Sequence, residues 1–163
     1  MQIRDDQQGM RAALREAERA LAIDEVPVGC VVVHDGQVIA RGHNQVEVLK
    51  DATAHAEMIA IGAASNAFNS WRLNECTLFV TLEPCAMCAG AIILSRVGRL
   101  VYGARDPKAG ACGSVLDVIR EPRLNHRVEV TEGVLADECA ELLKEFFARK
   151  RREAEEQIEP GHA

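Results

Sequence analysis

Residues 81–90 of the chain read Thr-Leu-Glu-Pro-Cys-Ala-Met-Cys-Ala-Gly. The residues that lead into this segment, from Cys76 to Leu82, have the apolar pattern of a strand. Pro84 ends the strand and favours the first turn of a helix, because a proline there gives up only a donor that would have no partner. The pattern therefore predicts a strand that leads directly into a helix from Cys85 to Leu94, as in α/β folds.

Helices and strands also alternate upstream of this unit. Apolar residues at helical spacing from Met10 to Leu21 predict an amphipathic first helix. Two strands, Val28 to His34 and Gln37 to Arg41, flank Asp35-Gly36, a dipeptide that favours a type I′ turn. These strands are therefore expected to form a β-hairpin.

The rest of the chain continues the alternation. Gly42 to Asp51 is polar and predicts a loop, after which Thr53 is placed to cap a helix that runs through His55 to about Ala64. Further elements are predicted as a strand at Leu100 to Gly103, a short helix near Ser114 to Arg120, a strand at His126 to Thr131 and a last helix from Ala136 to about Glu155. This order favours a three-layer α/β/α fold with a central mixed β-sheet.

Length and composition are those of one globular domain. The chain has 163 residues, of which 48% are hydrophobic and 27% charged, with a net charge of -6. We assign residues 1–152 to the domain and expect the acidic segment 153–163 to be frayed. The start of the chain is charged and the apolar runs are too short to cross a bilayer, so no membrane association and a cytoplasmic location are expected.

Six cysteines in a chain of this kind are expected to be reduced thiols, some of them metal ligands. Cys85-Ala-Met-Cys88 has the C-x-x-C spacing that lets two thiolates bind one zinc ion, and His55-Ala-Glu57 offers an imidazole and a carboxylate. The other cysteines are expected to be small buried hydrophobic residues: Cys30, Cys76, Cys112 and Cys139.

Helix geometry explains how these two motifs can meet. His55 and Glu57 are two residues apart, so on a helix their side chains would point about 200° apart. Both can border one point only if that point lies off the end of the helix. A helix N-terminus also favours negative charge and lowers the pKa of a thiol, which suits Cys85 and Cys88. We therefore expect two helix starts to converge on one cation.

A zinc ion with three protein ligands keeps a fourth position for water, which is the catalytic pattern. Such an ion lowers the pKa of the water from about 15.7 to about 7, and Glu57 is placed to move the proton. The alternative is a closed structural site with a fourth thiolate from Cys30, Cys76 or Cys112. That alternative leaves Glu57 without a role.

His55-Ala-Glu57 and Pro84-Cys85-Ala-Met-Cys88 match the H-x-E and P-C-x-x-C signature of zinc deaminases. From the first helix to about Arg152, the chain resembles the bacterial tRNA-specific adenosine deaminases. The resemblance extends over the following segments: Glu25-Val-Pro-Val-Gly29, Thr53-Ala-His-Ala-Glu57, Thr81 to Gly90, Gly103-Ala-Arg-Asp-Pro-Lys108, and Asn125 to Gly133 with Leu135 to Cys139.

The resemblance implies a cytidine deaminase-like fold, one zinc ion per chain and a homodimer. It implies hydrolytic deamination of adenosine to inosine at wobble position 34 of a tRNA anticodon loop, that of tRNA-Arg with an ACG anticodon. In this family pattern, Glu57 moves protons at the target adenine. The resemblance also assigns Asn44, Val28 and the backbone amide of Ala56 to the nucleoside pocket, and it assigns Arg105, Asp106 and Lys108 to contacts with neighbouring nucleotides.

One segment departs from the family pattern. The sequence has Lys50-Asp-Ala-Thr53 where the family often has His-Asp-Pro-Thr, which puts the contacts of this loop in doubt. Composition alone would assign Asn44 to a loop, bonded to its own backbone. The apolar residues from Ala89 to Leu94 are a candidate dimer contact, although such residues are usually ordinary core.

Basic residues are concentrated in the second half of the chain and end with Arg149-Lys-Arg-Arg152. This run either complements the dipole at a helix C-terminus or binds phosphates, and the family resemblance favours RNA. Two other functions remain open: a deaminase of free guanine, cytosine or nucleosides, and an inactive zinc-containing RNA-binding module. The basic half argues against the first, and Glu57 argues against the second.

Overall fold

A computed structural model describes residues 2–158 of the chain. Five strands and five helices lie in this range. In chain order they are α1 (Asp6–Ala22), β1 (Gly29–His34), β2 (Gln37–His43), α2 (Val46–Leu49), α3 (Ala56–Phe68), β3 (Cys76–Leu82), α4 (Ala86–Leu94), β4 (Arg99–Ala104), β5 (Glu129–Thr131) and α5 (Ala136–Ile158).

The five strands form one mixed sheet in the order β2-β1-β3-β4-β5. Strand β1 is antiparallel to both β2 and β3, whereas β3, β4 and β5 are parallel to one another. Helix α4 connects β3 to β4, and it begins within residues 81–90, as the sequence predicts. The parallel edge places the end of β3 and the start of α4 beside the end of β4.

Helices cover both faces of this sheet. Alternate residues of β1 belong to two separate cores, because successive side chains of a strand point to opposite faces. Cys30 and Val32 pack with α3 and α4, and Val31 and Val33 pack with α1 and with Cys139 of α5. The arrangement confirms the predicted three-layer α/β/α fold with a central mixed sheet.

The predicted hairpin is confirmed. Asp35 and Gly36 both have positive φ, at 51° and 74°, as a type I′ turn requires. The four cysteines outside the C-x-x-C motif are free and buried, as expected. Between residues 2 and 158 there is no helix that is both long and apolar enough to cross a bilayer.

Two helix predictions need correction. The segment from Ser114 to Arg120 consists of turns, because its backbone amides bond back to Gly110 and Ala111 instead of along a helix. Thr53 does not cap a helix, because its hydroxyl bonds to Asp51 two residues earlier. The helix that it was expected to start begins at Ala56, with His55 as its N-cap.

Three boundaries also differ from the predictions. The loop from Gly42 to Asp51 contains the short helix α2, and β5 begins at Glu129 instead of His126. Helix α5 continues to Ile158, beyond the predicted end near Glu155, so residues 153–158 of the acidic segment are helical. That this segment frays stays a prediction. The prediction for residues 159–163 falls outside the described range.

Candidate active site

Three ligand atoms converge where α3 and α4 begin. His55 Nδ1 lies 3.6 Å from Cys85 Sγ and 3.6 Å from Cys88 Sγ. Tetrahedral bonds of about 2.3 Å to sulfur and about 2.0–2.1 Å to nitrogen separate such atoms by about 3.6 Å. The spacing and the donor set therefore fit a zinc ion.

The start of each helix explains this convergence. His55 is the N-cap of α3 and Cys85 is the N-cap of α4, and both have extended backbone angles. Gly42 of β2 lets the start of α3 approach closely, because a Cβ at Gly42 would lie 2.3 Å from the carbonyl oxygen of Ala56. The expected arrangement, two helix starts that meet at one point, is confirmed.

The cluster of described residues holds three ligands, one histidine and two cysteines, and no third cysteine. Within residues 2–158, the metal-ligating groups that lie together are those of His55, Cys85 and Cys88, with their ligand atoms within 4.8 Å of one another. The remaining cysteines are buried in the cores and the loops behind the site. A structural site closed by four protein ligands therefore has no support in this geometry.

Glu57 lies beside the cluster in the first turn of α3. It is 4% exposed, and burial raises the pKa of its carboxyl group. Hydrogen bonds from Cys88 and from His55 lower the pKa of the Cys85 thiol to about 3. A thiolate is thus favoured at Cys85, as a metal ligand requires, and the pKa of Glu57 is shifted in the direction that acid–base catalysis near neutral pH needs.

A cavity of about 280 Å³ opens over this group. Its size is close to the lower end of the range for ligand pockets, about 300–1,000 Å³, so it suits one small ligand. Most of the predicted site residues line it, namely Val28, Asn44, His55, Ala56, Glu57, Cys85 and Asp106. Cys88 is fully buried beneath them.

Asn44 combines the two roles that the sequence left open. Its side chain is buried and lines the cavity. It also donates to the carbonyl oxygen of Val26 at 3.4 Å and accepts from the amide of Val46 at 3.3 Å. Both bonds are long, so they hold the side chain at the cavity wall without using its full capacity to bind.

Of the residues predicted to contact neighbouring nucleotides, only Asp106 lines the cavity. The side chain of Asp106 accepts hydrogen bonds from the amides of Lys108 and Ala109, so it shapes the loop. Lys108 is exposed outside the cavity. Arg105 is also exposed, and it forms an ion pair with Glu132 at 2.8 Å.

Glu83 is a site residue that the sequence analysis did not identify. It is 2% exposed and lines the cavity. Its carboxylate accepts from the amides of Asp106, Cys112 and Ser114 and from the hydroxyl of Ser114. Burial alone would raise the pKa of Glu83, but these bonds outweigh it and lower that pKa. The sequence signal that could have identified Glu83 is its position as a charged residue between an apolar strand and Pro84.

The basic run from Arg149 to Arg152 lies within α5, before its end at Ile158, so it does not complement the dipole of the helix C-terminus. The run is partly paired within the molecule. Arg149 donates to Asp24 at 2.7 Å, and Lys150 bonds to the other oxygen of the same carboxylate. Arg151 and Arg152 are exposed. Arg149 and Lys150 are therefore held by Asp24, which lies between α1 and β1, whereas the other two cations of the run face solvent.

Comparison with known proteins shows the family. The MafB19-like deaminase family model matches residues 4–151. The tRNA-specific adenosine deaminase of Bacillus subtilis is 48% identical over 147 residues, which are 90% of this chain and 91% of the relative. That of Aquifex aeolicus is 49% identical over 142 residues, which cover 87% of this chain and 93% of the relative.

Solved structures give the same result. A tRNA:A34 deaminase from a study of A-to-I editing at the wobble position of transfer RNA has a TM-score of 0.80 and 47% identity, covering 83% of this chain and 98% of its own. A guanine deaminase from Nitrosomonas europaea also has a TM-score of 0.80, but its identity is 28% over 91% of this chain and 87% of its own. The chain therefore belongs to the MafB19-like deaminases and, among them, to the family of the tRNA-specific adenosine deaminases.

Proposed function

We propose that this protein converts adenosine to inosine at wobble position 34 of a tRNA anticodon loop, with tRNA-Arg bearing an ACG anticodon as substrate. The observation that carries the proposal is an open three-ligand cluster with Glu57 beside it, in a chain 48% identical to a tRNA-specific adenosine deaminase. A tRNA substrate also favours action in the cytoplasm.

Zinc is the proposed cofactor, one ion per chain, held by His55, Cys85 and Cys88. When bound there, it lowers the pKa of a water molecule into the neutral range. The water oxygen forms a bond to C6 while Glu57 takes a proton from the water and delivers it to N1 of the adenine. Glu57 then takes the second proton from the new hydroxyl group on C6 and delivers it to the amino group. The bond from C6 to the amino nitrogen breaks, so adenosine and water give inosine and ammonia.

The remaining residues bind and orient the nucleoside. Ala56 is the first residue of α3, where backbone amides have no partner within the helix, so its N–H is available to a ring nitrogen. Asn44 and Val28 line the wall against which the base would lie. The loop after β4 contains Arg105, Asp106 and Lys108, of which Asp106 lines the cavity. These three residues are proposed to contact the nucleotides next to the target.

A homodimer is part of the proposal. Ala89, Ile92 and Ile93 are buried in the core of the single chain, whereas Leu94 at the end of this helix is a large apolar side chain that is 73% exposed. We expect sedimentation at assay concentrations to give a dimer. A fully active monomer at those concentrations would contradict this part of the proposal.

The test of the activity is direct. The purified protein is incubated with an anticodon stem-loop that carries ACG, and the RNA is digested and analysed for inosine. We expect conversion of the wobble adenosine and far slower reaction of free adenosine, because a base in a hairpin loop leaves its stack easily and the loop supplies the binding contacts.

Guanine deamination is the alternative that the structural comparison brings forward, because the Nitrosomonas europaea guanine deaminase has an equal TM-score. Free guanine and cytidine are therefore assayed in parallel. If either compound is deaminated as efficiently as the stem-loop, and if the rate does not depend on salt, the substrate is a small molecule and not RNA.

A further inference from the structure

Glu25 is a buried carboxylate at the edge of the active-site cavity with one oxygen unused. Its side chain is 1% exposed. One oxygen, Oε1, accepts a hydrogen bond of 2.6 Å from the amide of Val48 in α2. The other, Oε2, has no hydrogen-bond partner among the described residues.

Such an oxygen is unfavourable and uncommon. Buried polar atoms are nearly always hydrogen-bonded, and a buried ionised oxygen without a donor is among the most costly exceptions. The hydrogen bond to Oε1 fixes the carboxylate but leaves Oε2 without a donor. Because unsatisfied groups of this kind concentrate at functional sites, Oε2 points to a ligand that brings its own donor.

Glu25 lies toward the outer end of the cavity. Val26 and Glu47 line the active-site cavity together with Glu25, and both also line a more open groove at the surface. His55, Cys85 and Glu57 line the first cavity but not the groove. Glu25 itself lines the cavity, so its carboxylate is accessible to a ligand there while Oε1 keeps its bond to Val48.

The chemistry of the ligand limits what can donate to this oxygen. This step rests on the proposed function, in which the ligand is an adenosine within an RNA chain. The ring nitrogens N1, N3 and N7 are acceptors, so they do not supply the donor that Oε2 lacks. The 6-amino group must face His55 and Glu57 for the reaction, and the 3′ and 5′ oxygens are esterified. The ribose 2′-hydroxyl is the donor that remains.

We propose that Glu25 binds the 2′-hydroxyl of the target nucleotide through Oε2 and thereby selects ribose over deoxyribose. The same carboxylate bonds to α2 through Oε1. Helix α2 contributes Val46 and Glu47 to the cavity wall. A single side chain thus joins the wall of the pocket to the sugar of the ligand.

The first test uses the wild-type protein and four stem-loops that differ only at the target nucleotide, which carries 2′-hydroxyl, 2′-deoxy, 2′-fluoro or 2′-methoxy ribose. We expect the deoxy and fluoro substrates to lose about ten- to a hundredfold in kcat/KM, the worth of a hydrogen bond to a charged group. Fluorine keeps the size of the substituent without a donor, so the fluoro substrate isolates the hydrogen bond.

The second test compares variants with the same change of charge. Glu25→Gln and Glu25→Ala should reduce the preference for ribose to a few-fold or less, with zinc content and thermal unfolding measured on the same samples. Glu47→Gln is the matched control, because Glu47 lines the same wall but is exposed. The ribose preference of the control should equal that of the wild type.

The outcomes separate this inference from the proposed function. A wild type that converts all four substrates equally would overturn the role of Glu25 and leave wobble deamination intact. An unchanged ribose preference in folded Glu25→Ala would also overturn it. If Glu25→Ala does not fold, the fluoro and deoxy substrates decide alone. A wild type inactive on every stem-loop would overturn the proposed function as well.

Discussion

The two ends of the active site are built in different ways. At the inner end, His55, Glu57 and the two cysteine ligands are placed by the starts of α3 and α4, and all lie within a few residues of a helix cap. At the outer rim, outside the cavity lining, Arg105 neighbours the lining residue Asp106 and Lys150 lines the adjoining groove. Both are placed by ion pairs with residues far from them in sequence, Glu132 and Asp24.

This difference separates what is fixed from what can exchange. Glu57 and Cys88 are buried and His55 and Cys85 are half-buried, and the backbone geometry of the helix starts holds all of them, so they keep their positions in the absence of substrate. The rim cations are exposed or half-buried and already have acidic partners. An RNA phosphate would have to compete with these acids for the cations. Variants at the inner end should therefore remove chemistry, and variants at the rim should change RNA affinity.

The largest effect is expected from a metal ligand. Cys88→Ala removes one of three ligands and should abolish both zinc binding and deamination, since two protein ligands do not make a stable site. Metal analysis and the inosine assay measure the two losses. In the wild type, X-ray absorption should show two sulfurs at about 2.3 Å, and three or four sulfurs would contradict the open site.

Glu57→Gln should have the next largest effect. The amide keeps the shape of the side chain but cannot carry a proton, so turnover should fall by at least about 10²–10⁴-fold. Zinc content and unfolding temperature should match the wild type. Near wild-type turnover in a protein with full zinc would show that Glu57 has only a structural role.

A smaller effect is expected at the rim, where Lys150 and Arg151 are neighbours with different pairing. Arg151→Glu should weaken RNA binding and reduce the slope of log affinity against log salt by about 0.7, the value for one single-strand phosphate contact. Lys150→Glu should reduce it less, because Asp24 already neutralises part of that charge. Titrations over a salt series compare the two, and equal reductions would contradict the ranking.

The smallest effect is expected from an ion pair outside both regions. Arg99 of β4 makes two hydrogen bonds of 2.7 Å to Asp6 of α1, and these lower the pKa of Asp6. Asp6→Asn should cost about 1 kcal/mol of unfolding free energy at pH 7, allowing for partial exposure, and should leave kcat/KM unchanged.

The pH dependence of this cost follows from the direction of the shift. A carboxyl group with a lowered pKa in the folded protein stabilises it above the unfolded pKa, here 3.8, and the stabilisation disappears as pH falls through the folded value. Denaturant unfolding at pH 7 and at about pH 2 should show the difference between variant and wild type shrinking. A constant difference would indicate a packing effect instead.

The sequence predicted the inner end because its geometry is local. His55 and Glu57 are two residues apart and Cys85 and Cys88 three apart, so the rotation per residue of a helix alone required an end-on arrangement. The hairpin was predictable for the same reason, since Asp35-Gly36 specifies its own turn.

The parts that were missed depend on distant partners. Residues 114–120 have a composition compatible with a helix, but Glu83, about 30 residues away, binds Cys112 and Ser114 and fixes a series of turns. The short helix α2 is likewise held by Glu25, 23 residues away from Val48. The sequence of either segment alone therefore does not predict these hydrogen bonds.

The pairing of Asp24 with Arg149 and Lys150 bears on how fast the protein can turn over. Inosine differs from adenosine at one position of the base, so backbone contacts alone would hold product RNA as tightly as substrate. We propose that Asp24 competes with RNA phosphates for both cations, which would favour dissociation of the product. We expect Asp24→Asn to bind RNA more tightly yet show a burst of one inosine per site followed by slower steady-state turnover, and equal burst and steady rates would exclude this effect.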